Sequence, residues 1–139
     1  MILVDTSVLL DYLKNIENQK SQIFQDILER KIPYCITNYI FLEVLQGAKT
    51  DKEFDVLKEY LGSLPFYDLT EGKLSFEKIA KLNLQCRGAG VTVRSTIDLI
   101  LVQITLEHGL ALLHNDRDFD NIASVVSDLI ICQNPDLHG

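Results

Sequence analysis

Four acidic residues stand where short apolar runs give way to polar sequence. Asp5 ends the run Ile2-Leu3-Val4, and Asp116 follows Leu110-Ala111-Leu112-Leu113 after two polar residues. Glu43 falls within two turns of the start of a helix that follows Tyr34-Cys35-Ile36, and Asp98 falls in the first turn of a helix opened by Ser95. Ligands of open parallel sheets bind beyond the carboxyl ends of the strands, so all four acids can face one edge. Converging carboxylates repel: two unit charges 5 Å apart cost about 3 kcal/mol at an effective dielectric near 20. A divalent cation removes that cost, and an all-oxygen set without His or thiolate selects Mg²⁺ or Mn²⁺ over zinc. Such a site acidifies a bound water and supports in-line displacement at phosphorus, so the chemistry predicted is phosphodiester hydrolysis.

Each acid also has a plainer explanation. Asp5-Thr6-Ser7 reads as a helix N-cap. Ser95 and Asp98 have the spacing of a capping box. Asp116, Asp118 and Asp120 together read as an acidic turn. Glu43 has no capping role; it sits beside the stripe of Ile40, Val44 and Leu45, with no basic residue within one turn. The histidines form no site. His108 lies near a helix end and His138 in the polar tail, while His114, beside the acids, reads as a turn residue because Mg²⁺ prefers oxygen.

The elements that must position these residues are short apolar strands alternating with helices. Residues 1–4 form a strand running into a helix with Val8, Leu9, Tyr12 and Leu13 at helical spacing. A second helix carries Ile23, Phe24, Ile27 and Leu28. Pro33 then precedes a strand at Tyr34-Cys35-Ile36, and Thr37-Asn38 caps a helix reaching Gly47. A charged helix over about 51–61 stops at Gly62. Phe66-Tyr67 reads as a short strand, followed by helices over about 71–87 and 96–108. A strand at 110–113, a short helix near 118–123 and a last apolar segment at 129–131 complete the order. This alternation implies βαβ units, and so a mostly parallel sheet covered on both faces.

At 139 residues, with 13 Lys plus Arg against 20 Asp plus Glu and a net charge of −7, the chain reads as a single domain over 1–139. No apolar run reaches the ~18 residues of a membrane span. The Met1-Ile2-Leu3-Val4-Asp5 start lacks a basic segment, which predicts a cytoplasmic protein. Cys35, Cys86 and Cys132 are widely spaced and read as reduced core residues. The acidic balance disfavours a broad basic face for nucleic acid.

The quartet Asp5, Glu43, Asp98 and Asp116, with the opening Ile2-Leu3-Val4-Asp5-Thr6-Ser7 and the late Asn115-Asp116-Arg117-Asp118-Phe119, resembles the PIN-domain ribonucleases. More narrowly it resembles the VapC toxins of VapBC toxin–antitoxin modules, along essentially the whole chain. The resemblance implies a three-layer αβα PIN-like domain with a mostly parallel central sheet of four to five strands. It also implies that the quartet holds one or two Mg²⁺ or Mn²⁺ ions, that Thr6 supports the first acid, and that Asp118 is an outer ligand. Further implied are a homodimer, cleavage of structured RNA such as tRNA or rRNA, and inhibition by a cognate VapB-like antitoxin covering the site. Two departures are visible. His114-Asn115 replaces the Thr or Ser often found before the fourth acid, and Leu101-Val102-Gln103 replaces small residues after the third.

The expected activity is therefore a metal-dependent endoribonuclease, with Asp5 and Asp98 as principal ligands and Glu43 or Asp116 orienting the attacking water. Lys14, Arg87, Arg94 and Arg117 lie near the predicted strand-end face and are candidates for holding RNA phosphates, against a reading as solvated surface. Alternatives are an RNA-processing PIN nuclease outside a toxin–antitoxin module and a non-catalytic PIN scaffold. A haloacid-dehalogenase-type phosphatase needs an aspartate where Ser7 stands, and a receiver domain needs a late strand-end lysine that is missing.

Overall fold

Ile2, Leu3 and Val4 are all fully buried. Successive strand residues point to opposite faces, so this strand, β1 (Ile2–Val4), lies in a sheet covered on both sides. The computed structural model describes residues 1–134, so His138 and the end of the polar tail lie outside the described residues. β1 pairs in parallel with β2 (Tyr34–Cys35) and with β3 (Ala111–Leu113), and β3 pairs in parallel with β4 (Ile130–Ile131). The strand order is β2-β1-β3-β4.

Seven helices fill the connections among the described residues: α1 (Thr6–Leu13), α2 (Gln19–Glu29), α3 (Asn38–Gln46), α4 (Asp51–Gly62), α5 (Lys73–Gly88), α6 (Thr96–His108) and α7 (Arg117–Ala123). Five of their starts are set by side-chain caps. Asp5, Asn18, Thr37, Thr50 and Asp116 each accept a hydrogen bond from a backbone N–H of the helix they open. α6 ends at Gly109, whose φ of +61° is the left-handed conformation that glycine adopts without strain. α6 is apolar almost all round and buries every residue from Leu99 to Thr105, so the helix that carries Asp98 in its first turn is anchored in the core. Leu101 and Val102 pack into the core, and Gln103, also buried, donates to Glu107 Oε2 at 3.1 Å.

Two expectations about strands are corrected. Among the described residues the sheet has four strands, within the expected four to five, and Phe66-Tyr67 is not a fifth: Phe66 makes only an isolated parallel bridge to Ile36. Ile36 N–H donates to Pro65 O and Tyr67 N–H donates to Ile36 O, after which pairing stops. Ile36 accordingly belongs to that bridge and not to β2. The three cysteines are buried and free, and burial pushes the Cys35 thiol up to about 12, so it is inert as a nucleophile.

Candidate active site

Each acid is delivered to the carboxyl edge of the sheet by the element before it. Asp5 follows β1, its backbone N–H bonded to Leu113 O at 2.9 Å, which ties the end of β1 to the end of β3. Asp116 follows β3 and caps α7. Asp98 sits in the first turn of the buried helix α6, and Glu43 lies on α3 two turns beyond β2.

Carboxylate oxygens of Asp98, Asp116 and Asp118 all lie within 4.8 Å of one another. Asp5 and Glu43 complete the group electrostatically. The Asp98 carboxyl is pushed up to about 7, first by burial and then by the charges of Asp116, Asp5, Asp118 and Glu43. The Asp5 carboxyl is raised by burial, against opposing hydrogen bonds from Ser7 and Thr6. Glu43 is raised by burial and by Asp5. Five acids thus crowd one edge with little to neutralise them: Arg94 Nε stands 3.8 Å from Asp118 Oδ1, but its side chain is 81% exposed, where an ion pair contributes little. A cluster of carboxylates with only oxygen donors and mutual repulsion of this kind fits a hard divalent cation.

The plainer readings hold in part. Asp5 and Asp116 do cap α1 and α7, accepting from Ser7 N–H at 3.1 Å and Asp118 N–H at 3.0 Å. The capping box at Ser95 and Asp98 is not made. The Ser95 side chain makes no cap hydrogen bond, and the Asp98 carboxylate accepts no hydrogen bond among the described residues. Capping therefore does not account for an acid at position 98.

The hydroxyl bond expected of Thr6 is made by its neighbour. Ser7 Oγ donates to Asp5 Oδ2 at 2.7 Å and accepts the Asn115 N–H at 2.9 Å. Thr6 Oγ1 is buried and makes no hydrogen bond among the described residues, though it draws the Glu43 carboxyl down against the effect of burial. The reason is cap geometry. The N-cap carboxylate reaches the N–H two residues on, and the side chain at that position comes with it. Sequence reasoning missed Ser7, and it missed Asp11, whose Oδ2 accepts from Asn115 Nδ2 at 3.1 Å and Asn18 Nδ2 at 2.9 Å. The visible signal was the polar pair Ser7 and Asp11, one helical turn apart on an otherwise apolar helix.

His114 is fully buried against Phe119, with ring centroids 5.1 Å apart. Its Nδ1 accepts the Asp116 N–H at 3.1 Å, which leaves Nε2 to carry the ring proton. Nε2 is 3.3 Å from Asp120 Oδ1 but lacks the alignment of a hydrogen bond. Burial lowers the His114 pKa more than Asp120 raises it, so the ring is neutral at pH 7 and no ion pair forms.

Among the basic candidates, Arg117 stands exposed between Asp116 and Asp118, and Arg94 faces Asp118. Arg87 lines a cavity of about 460 Å³ between α5 and the start of α6, together with Thr96. Lys14 is the C-cap of α1, about 13 Å along the helix from Asp5. There it lines a separate groove of about 710 Å³ with Leu10, Val44, Lys49 and Lys52.

Residues 2–125 match the family model described as PIN domain. The chain belongs to the PIN-domain family. VapC ribonuclease Mb1587 of Mycobacterium bovis and ribonuclease VapC11 of Mycobacterium tuberculosis are each 29% identical to this PIN domain over 128 residues, covering 91% of this chain and 95% of theirs. Among solved structures, VapBC-1 of nontypeable Haemophilus influenzae superposes with a TM-score of 0.72 at 16% identity, over 98% of this chain and 99% of the other. VapBC2 of Rickettsia felis, solved bound to a DNA fragment from its promoter, gives 0.71 at 15% identity over 95% and 98%. These likenesses fit the parallel αβα architecture of the PIN domain. No helix of the described residues is long and apolar enough to cross a membrane.

Proposed function

We propose that this PIN domain is a Mg²⁺- or Mn²⁺-dependent endoribonuclease toxin of a type II toxin–antitoxin system, one domain over 1–139, cleaving structured RNA such as tRNA or rRNA. The observation that carries the reading is the meeting of Asp98, Asp116 and Asp118 oxygens within 4.8 Å at the edge where Asp5 and Glu43 raise the Asp98 pKa further. The 29% identity to proteins named VapC ribonucleases supports RNA as the substrate.

In this reading Asp5, Asp98, Asp116 and Asp118 hold the ion, and Glu43 completes the set directly or through water. When bound, the ion acidifies a coordinated water and offsets charge on the scissile phosphate. The chain's own residues do the rest. Glu43 or Asp116 accepts a hydrogen bond from the attacking water and orients it. Arg94 and Arg117 engage neighbouring phosphates, and neutral His114 holds the backbone of Asp116 in place. The VapBC neighbours support pairing with a cognate VapB-like antitoxin, and a homodimeric, cytoplasmic toxin is the form proposed.

The test is cleavage of total cellular RNA by the purified protein with and without Mg²⁺, alongside Asp5→Asn and Asp98→Asn. Loss of cleavage and of growth arrest in both variants, with a cooperative unfolding transition retained, is expected. Full toxicity in both would overturn the assignment. A catalytically inert scaffold would show no Mn²⁺ binding that depends on the acids.

A further inference from the structure

The turn that carries Asp116 and Asp118 has to be held against Asp5 from a different part of the chain, more than a hundred residues away in sequence. Two hydrogen bonds hold it there, and a third stiffens the turn itself. Asn115 N–H donates to Ser7 Oγ at 2.9 Å, Asn115 Nδ2 donates to Asp11 Oδ2 at 3.1 Å, and Asp116 N–H donates to His114 Nδ1 at 3.1 Å. The first two cross from the β3–α7 turn to α1. Ser7 Oγ accepts from Asn115, so its own proton is free for Asp5 Oδ2, which it reaches at 2.7 Å. Asp11 accepts at the same oxygen from Asn18 Nδ2, and Asn18 also caps α2.

We infer that Asp11 and Asn115, acting through Ser7, form a positioning clasp that sets the spacing between Asp5 and the Asp116–Asp118 turn, and with it the affinity of this edge for a divalent cation. The inference rests on the metal-site reading above. It gives a role to the Asn115 side chain, which no ligand assignment uses. The Ser7 hydroxyl takes the bond to this turn, and the longer Asn115 side chain reaches on to Asp11 one helical turn further. Partners that orient ligating carboxylates commonly change metal affinity by 10–100-fold when removed, although they never touch the ion.

The test is calorimetric titration of the full chain with Mn²⁺. Asn115→Ala and Asp11→Ala should each weaken binding by about tenfold, at the low end of that range, and the double variant should be little worse than either single one. Ser7→Ala should weaken it similarly, and Ser7→Thr, which keeps the hydroxyl, should restore it. Asn18→Ala separates positioning from stability: it removes the other partner of Asp11 and the α2 cap, so it should lower the melting temperature while leaving Mn²⁺ affinity within twofold. In RNA cleavage, raising Mn²⁺ should recover the Asn115→Ala rate. Mn²⁺ affinity within twofold of the parent in Asn115→Ala and Asp11→Ala, while Asp98→Asn abolishes binding, would sink the clasp and spare the metal site. Unchanged binding in Asp98→Asn would sink the metal site itself.

Discussion

Replacing Asp98 with asparagine should make the metal-stripped protein more stable at pH 8, not less. The Asp98 carboxyl is pushed up from the usual 3.8 to about 7, by burial and by four neighbouring acids, and its own carboxylate makes no hydrogen bond that asparagine would lose. A raised carboxyl pKa means that the folded state resists ionisation. The penalty is absent below pH 3.8, grows as pH rises and is complete above about 7. At about 1.4 kcal/mol per pH unit, the full penalty is about 4 kcal/mol; partial solvent access and shared repulsion reduce it to roughly 2 kcal/mol. Urea unfolding in excess chelator reads it directly. Asp98→Asn should gain roughly 2 kcal/mol over the parent at pH 8, and the gain should disappear near pH 4. With Mn²⁺ at 100 times its dissociation constant the order should reverse, since the parent gains about 2.7 kcal/mol and the variant does not. Equal stability of the two proteins in chelator at pH 8 would refute the claim that these acids repel one another.

Other consequences follow from the same contacts. Arg117→Ala, at an exposed position between two acids, should weaken RNA binding and reduce the slope of log affinity against log salt by about 0.7, with unchanged melting; an unaltered slope would remove Arg117 from the phosphate contacts. Phe24 is fully buried between Tyr12 and Tyr34, each at 5.2 Å and edge-on, so Phe24→Ala should cost about 3–5 kcal/mol in chemical denaturation. A loss under 1 kcal/mol would mean that this end of the core collapses around the gap.

The acids were legible because strand ends are legible. An apolar run of three or four residues that gives way to an aspartate, at once or within three residues, marks both the strand and its ligand-binding end, which is why Asp5 and Asp116 stood out. Asp98 was ambiguous, since Ser95 and Asp98 have capping spacing whether or not the bonds form. Only the structure has the Ser95 cap bond missing and the Asp98 carboxylate without a hydrogen-bond partner among the described residues. Thr6 and Ser7 are adjacent hydroxyls that a sequence cannot rank; the N-cap bond of Asp5 to Ser7 N–H decides between them. Asp11 and Asn115 are 104 positions apart, and nothing local marks their pairing. Phe66-Tyr67 has strand-forming residues, but β pairing needs a continuing partner, and β2 has ended by Ile36.

The net charge of −7 sets a last expectation. Five of the 20 acidic residues sit at this edge, and the arginines nearest them, Arg94 and Arg117, are exposed and few. Two divalent ions would bring −7 to −3, still acidic, and a chain of that balance is not expected to hold RNA by a broad basic surface. Binding should then depend on the cation itself, unlike that of a basic nuclease. In fluorescence anisotropy with a structured RNA, chelator should abolish binding at physiological salt, and Ca²⁺, a divalent oxygen-seeking ion of looser geometry, should restore binding without matching the cleavage rate in Mg²⁺. Asp98→Asn should bind poorly in both conditions. Tight RNA binding in chelator would instead place the main contact surface away from the acids and require a basic patch elsewhere on the fold.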